Sequence, residues 1–158
     1  MSGTSLRVLG AFVIACLLTS LAGAAVTSLT VDTWYPTLAK PPLTPPDWLF
    51  APVWTALFAG MAVAGWRVWE RAPAAARREH AVWFAGQLAL NLLWSCLFFG
   101  LTWVTGALVE IVALLGVLVR MARAYGRVDR WAGAVFAVYA LWVAFATYLT
   151  AGIWLLNR

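Results

Sequence analysis

The chain has 158 residues, 64% of them hydrophobic and only 11% charged, with a net charge of +5 and a mean hydropathy of +0.85. So little charge excludes an ordinary soluble domain, whose water-facing surface needs far more. Nor does the basic excess indicate nucleic acid, because the sequence offers no aqueous domain on which to display its arginines.

Five apolar stretches are each long enough, at roughly 20 residues, to cross a hydrocarbon core of ~30 Å. No stretch alternates with the two-residue period of a membrane barrel strand. An all-α integral membrane protein, a single domain of five transmembrane helices, is therefore expected. The first stretch spans residues 6–28. Arg7, an apolar run and Leu21-Ala22-Gly23-Ala24 also fit a secretion leader, and Val13-Ile14-Ala15-Cys16 a lipoprotein cleavage site. The run continues to Val26, beyond a signal core of ~7–15 residues, which favours a span. Residues 29–46 follow as a loop holding five of the seven prolines. Proline restricts its own backbone and that of its predecessor, so this loop is stiff and reads as a lid. Thr44 is placed to cap the next helix, with Pro45 in its first turn.

The second stretch, 47–69, carries an aromatic stripe of Phe50, Trp54, Phe58 and Met61. The third, 81–101, carries Gln87, Asn91, Trp94 and Phe98 at four-, three- and four-residue steps, which is one helical stripe. Amides are costly toward lipid, so this stripe is expected to face the bundle interior. Ala81, Ala85, Ala89, Leu92 and Cys96 lie opposite, and their small side chains suit close approach by another helix, within the chain or from a second protomer. The fourth stretch, 105–123, contains Glu110, the one acid well inside a span. It is open to a functional or a hydrogen-bonded structural role. On the fifth, 131–155, Tyr139, Trp142, Ala146 and Leu149 share a face.

Nine of the eleven cationic residues lie on one side: Arg7, Arg67, Arg71, Arg77, Arg78, Arg120, Arg123, Arg127 and Arg130. The positive-inside bias puts the N-terminus in the cytoplasm and the 29–46 loop and C-terminus outside. A bacterial cytoplasmic membrane suits this pattern. Sorted by depth, eight of the eleven tryptophans fall at membrane borders. Trp34, Trp48, Trp103 and Trp154 belong to the outer border, and Trp66, Trp69, Trp83 and Trp131 to the inner one. Trp54, Trp94 and Trp142 lie deeper, on three different helices, and are candidates to line a pocket for a flat, apolar ligand.

Conventional catalysis finds little footing. The single histidine, His80, falls in the polar 67–80 segment, where it reads as solvated. No pair of acids inside the bundle suits general acid–base work, and no His, Cys or carboxylate cluster has metal-ligand spacing. Cys16 and Cys96 lie within spans and read as small apolar residues.

Three runs of residues carry a family resemblance. They are Trp34-Tyr35-x-x-Leu38-x-Lys40-Pro41 with Pro45-Pro46, then Phe50-x-x-x-Trp54-Thr55, then Gln87-Leu88-x-Leu90-Asn91-x-x-Trp94-Ser95-x-x-Phe98-Phe99. Together with Tyr139-x-x-Trp142-x-x-Phe145-Ala146-Thr147 and Trp154-x-x-Asn157, they resemble the tryptophan-rich sensory protein and translocator protein family over nearly the whole chain. The resemblance implies a five-helix bundle, usually a homodimer, that binds porphyrins such as protoporphyrin IX and, in many members, sterols or benzodiazepine-type ligands. It needs no cofactor or metal, although some members are placed in outer membranes. Residues implicated in porphyrin handling match Tyr35, Trp54 and Trp142, which also become candidates for light-dependent porphyrin breakdown. With the residues read from the stripes, the candidate ligand site comprises Tyr35, Trp54, Phe58, Asn91, Trp94, Phe98, Tyr139, Trp142 and Ala146, with Lys40 as a contact for a propionate. Two positions depart from the family pattern, Thr150 standing where an Asn is usual and Val138 where a Pro is. A sterol-recognition pattern needs a basic residue within about five positions after a tyrosine. After Tyr148 the first is Arg158, so sterol binding through that motif is not expected.

Overall fold

The computed structural model describes residues 3–158. Five helices run in order, α1 (Gly3–Thr27), α2 (Phe50–Arg71), α3 (Ala74–Ser95), α4 (Val104–Val128) and α5 (Arg130–Leu156). All five are long and apolar enough to span a membrane, so the protein is an integral membrane helix bundle, as its composition implies. The long α1–α2 loop, the α3–α4 turn and the C-terminus mark one end of the bundle, here the loop end. The Ala72–Pro73 and Asp129 connections mark the other, the arginine end.

Two helices outrun the apolar stretches that signal them. Helix α3 begins at Ala74, seven residues before 81, and α4 continues to Val128, five beyond 123. Hydropathy locates the part of a helix that lies in lipid, whereas the alanines and arginines at the start of α3 extend it into the polar layer at little cost in propensity, and α4 runs on through Gly126 because it packs there on Gly133 of α5. The change removes the expected solvated segment around His80. That residue lies within α3, half-buried, with its ring 5.3 Å from Tyr125, and its carbonyl accepts the Tyr125 hydroxyl.

At the loop end, a 3₁₀ turn over Asp47–Leu49 precedes α2. Thr44 does not cap that helix. Its hydroxyl donates instead to the Pro41 carbonyl at 2.7 Å, closing the proline turn on itself. Pro52 is accommodated because a first-turn N–H has no partner within a helix. A widened turn over Cys96–Gly100 ends α3, with Leu101 N–H reaching back to Cys96.

Helices α4 and α5 make the most extensive pairing. At their turn Gly126 meets Gly133 so closely that a Cβ on Gly133 would lie 2.4 Å from the Gly126 Cα. Helix α1 packs on α2 and α3 through Phe12, whose ring meets Phe84 edge-on at 4.8 Å beside Gly65. Of its residues only Ser5 and Cys16 are buried, so the rest of the chain leaves most of α1 uncovered. The main core runs down the centre through Met61, Leu114, Leu118, Tyr125 and Phe136. A smaller one, around Tyr35, Phe98, Ala107 and Ile153, sits beneath the loop.

The arginine end is tied by Asp129. One of its carboxylate oxygens accepts the Ala132 N–H and so caps α5, while the other meets Arg67 at 2.9 Å and Arg71 at 3.0 Å. Burial by itself would raise the Asp129 carboxyl, but the Ala132 amide and the two guanidinium groups outweigh it and hold the group below its ordinary value. The arginines here also pair with border tryptophans: Arg67 with Trp131, Arg77 with Trp69 and Arg120 with Trp83, the last at 4.2 Å from the ring centroid.

Candidate ligand-binding site

The third-helix stripe turns inward as its amides require. Gln87 is fully enclosed, Phe98 is 2% exposed, and Asn91 and Trp94 are half-buried between them. Its opposite face, at Ala85 and Ala89, is exposed. Asn91 donates through Nδ2 to the Tyr139 hydroxyl at 2.7 Å, joining α3 to α5 across the interior. Trp54 of α2 lies edge-on to Tyr139 at 6.0 Å and against Phe58 at 5.8 Å. Trp142, one turn along α5, meets Phe50 at 6.0 Å, and Ala146 packs on the same core.

The remaining candidates form a second group under the loop. Tyr35 is buried against Phe98 and Phe99, with ring centroids 6.3 and 5.7 Å away, and Lys40 places Nζ 4.5 Å from the Tyr35 ring centroid. Burial, reinforced by the Asp47 carboxylate, pushes the Tyr35 phenol above its ordinary value, so the ring stays neutral at physiological pH. Trp94 stacks on Phe98 at 5.0 Å and packs against both clusters. It thus bridges the Trp54–Tyr139–Trp142 group and the Tyr35–Phe98 group.

Two further residues belong here. Gln87 continues the stripe of Asn91 one turn earlier, a spacing legible in the sequence. Glu110 of α4 is buried. Both side-chain polar atoms of Gln87, both carboxylate oxygens of Glu110, and the indole nitrogens of Trp94 and Trp142 are buried with no hydrogen-bond partner among the described residues. The interior therefore combines flat aromatic walls with six polar atoms left unengaged among the described residues.

The loop is held down over this region. Asn157 accepts the Ala39 N–H and donates to the Ala39 carbonyl, both at 2.9 Å, and the Tyr148 hydroxyl donates to Pro42. Pro41 rests on Gly152, where a Cβ would approach to 2.6 Å. Thr30 bonds the Phe99 carbonyl, fastening the start of the loop to the end of α3. Of the tryptophans at the loop end, Trp48 and Trp103 are exposed, Trp34 packs on Phe98, and Trp154 donates to Thr105.

A membrane-spanning five-helix bundle whose interior is lined by aromatic rings and capped by a proline-stiffened loop is the class defined by these features. The chain belongs to the TspO/MBR family, whose model matches residues 12–155. It is 40% identical over 149 residues to the tryptophan-rich protein TspO of Chlorobaculum tepidum, covering 90% of each chain. It is 35% identical over 121 residues to the tryptophan-rich sensory protein of Cereibacter sphaeroides, covering 77% of this chain and 75% of that one. The human translocator protein is 34% identical over 125 residues, with 77% and 73% covered.

Proposed function

We propose that this protein senses or transports a flat, apolar ligand, a metal-free porphyrin such as protoporphyrin IX, which it binds between α2, α3 and α5 beneath the loop. The observation that carries this reading is the set of unengaged polar atoms on Gln87, Trp94, Glu110 and Trp142 inside an aromatic enclosure. Each such atom costs about 1–3 kcal/mol, and more than ~90% of buried polar groups in native proteins are paired. A ligand that stacks on the indoles and supplies hydrogen-bonding groups converts that cost into affinity. The names carried by the relatives, sensory protein and translocator protein, agree with a ligand-responsive membrane role. Lys40, at the loop end, is the cation available to a propionate that projects from the enclosure.

Because Phe50 packs on Trp142, and Trp54 on Phe58 and Tyr139, ligand entry requires these rings to part. The loop, anchored at Ala39, Pro41 and Pro42, has to lift with them. The uncovered Ala85 and Ala89 face of α3 supports a homodimer as the working assembly.

The test is titration of the purified protein in detergent with protoporphyrin IX, reading the visible-band shift and quenching of tryptophan fluorescence. Wild type is expected to saturate, and Trp54→Ala and Trp142→Ala to lose affinity at least about tenfold, the equivalent of one stacking contact. Unchanged binding in both variants removes this site.

A further inference from the structure

We propose a second binding site, for the phosphate of an anionic membrane lipid, at the arginine end between the start of α3 and the end of α4. It is a concavity of about 340 Å³ lined by Glu79, Arg120, Arg123, Ala124 and Arg127. Arg120, Arg123 and Arg127 recur at three- and four-residue steps, so the three guanidinium groups share one face of α4. Like charges at these spacings repel and destabilise a helix unless something neutralises them.

Among the described residues Glu79 engages only Arg120, at 3.3 Å on the exposed rim. Arg120 is also fixed from beneath by Trp83, 4.2 Å away. Arg123 and Arg127 are exposed, and among the described residues neither meets a carboxylate within ion-pair distance, so the concavity carries a net charge of about +2 toward its opening. A general charge bias explains arginines at this end of the bundle. It does not explain three of them converging on one concavity with an aromatic support.

The depth fits a headgroup. Helix α4 rises ~1.5 Å per residue, and a hydrocarbon core of ~30 Å takes about 20 of its residues, so counting from Val104 puts Arg123 at the border of the core and Arg127 in the polar layer. Ala124 gives the concavity an apolar floor for the glycerol end of a lipid. A guanidinium pair binds phosphate oxygens directionally, and basic pockets between helices at the membrane face are suited to anionic headgroups.

The experiment compares phosphatidylglycerol with phosphatidylcholine for retention on the full chain by native mass spectrometry, and for the midpoint of thermal unfolding in mixed micelles. Wild type is expected to retain phosphatidylglycerol preferentially and to be stabilised by it. The double variant R123Q/R127Q is expected to lose that preference on the order of tenfold. The control R78Q/R130Q removes the same charge from two exposed arginines outside the concavity and is expected to keep the preference. An undiminished preference in R123Q/R127Q, or an equal loss in the control, overturns the site. Equal stabilisation by inorganic phosphate alone overturns its assignment to lipid. Both variants alter exposed side chains only, and protoporphyrin IX titration reports independently on the loop-end site.

Discussion

Tyr139 is fully buried, and its hydroxyl is the meeting point of α3 and α5, through Asn91 at 2.7 Å. Tyr139→Phe leaves the Asn91 amide facing an apolar ring, so thermal stability in detergent should fall by about 1 kcal/mol, in line with interhelical hydrogen bonds in membranes. In Tyr139→Phe/Asn91→Leu the two effects should add to less than their sum, because the second change removes the orphaned amide. Strict additivity would show that the bond does not couple the helices. Gln87 predicts the opposite sign. Both ends of its amide lack partners among the described residues, so Gln87→Met, which keeps the volume, should stabilise the ligand-free protein by roughly 1–2 kcal/mol, read as a raised unfolding midpoint. It should also weaken protoporphyrin IX binding. Such a trade of stability for function is expected where polar atoms are kept for a ligand, and a destabilised Gln87→Met would show that the amide has a structural role.

At the scale of elements, the loop and the α4–α5 corner each rest on a small set of contacts. Gly152→Ala would drive a methyl into Pro41 and lift the proline segment from α5. Limited proteolysis within residues 36–46 should then accelerate, as it should in Asn157→Ala, which removes both bonds to Ala39. Unchanged cleavage in both variants would mean that other contacts hold the loop. At the corner, Asp129 lies below its ordinary value of 3.8, so its contribution to stability is fully present above that pH and is lost as pH falls through the lower, folded-state value. Asp129→Asn should keep the cap and lose the ion pairs at a cost of about 1 kcal/mol, since both arginines are partly exposed. Asp129→Ala should cost about 1 kcal/mol more through the lost cap. Thermal melts between pH 7 and pH 3 should show the gap between wild type and Asp129→Asn closing below pH ~4. These corner contacts were not legible in the sequence. Hydropathy finds the helices, and the stripe of Gln87, Asn91, Trp94 and Phe98 finds an inward face. It cannot show that Thr44 turns back to Pro41 or that His80 packs on Tyr125, because both depend on where a helix ends in the polar layer.

For the whole molecule, five spans and an uneven distribution of arginine lead to an expected orientation in the membrane. The sequence alone carries the bundle architecture, because a membrane leaves few alternatives to apolar helices of this length. It also brings out the aromatic residues of the interior, because depth along a helix can be counted. Which of those residues touch is a tertiary fact, and Trp94 gains its bridging position only from the approach of the loop to α3 and α4. The same counting predicts an orientation. Nine cationic residues lie at the arginine end or beside the N-terminus, and each positive charge retained on the cytoplasmic side resists translocation. A cysteine at Arg158 should therefore react with a membrane-impermeant maleimide added outside intact cells. One at Arg123 should react only after the membrane is opened. Cys16 is buried and Cys96 half-buried within their spans, so background labelling should be low, and Cys16→Ala/Cys96→Ala removes it. The reverse pattern would place the arginine end outside and put the loop-end aromatic cluster on the cytoplasmic side. Labelling of both positions in intact cells would indicate a mixed orientation, in which the charge bias does not fix topology.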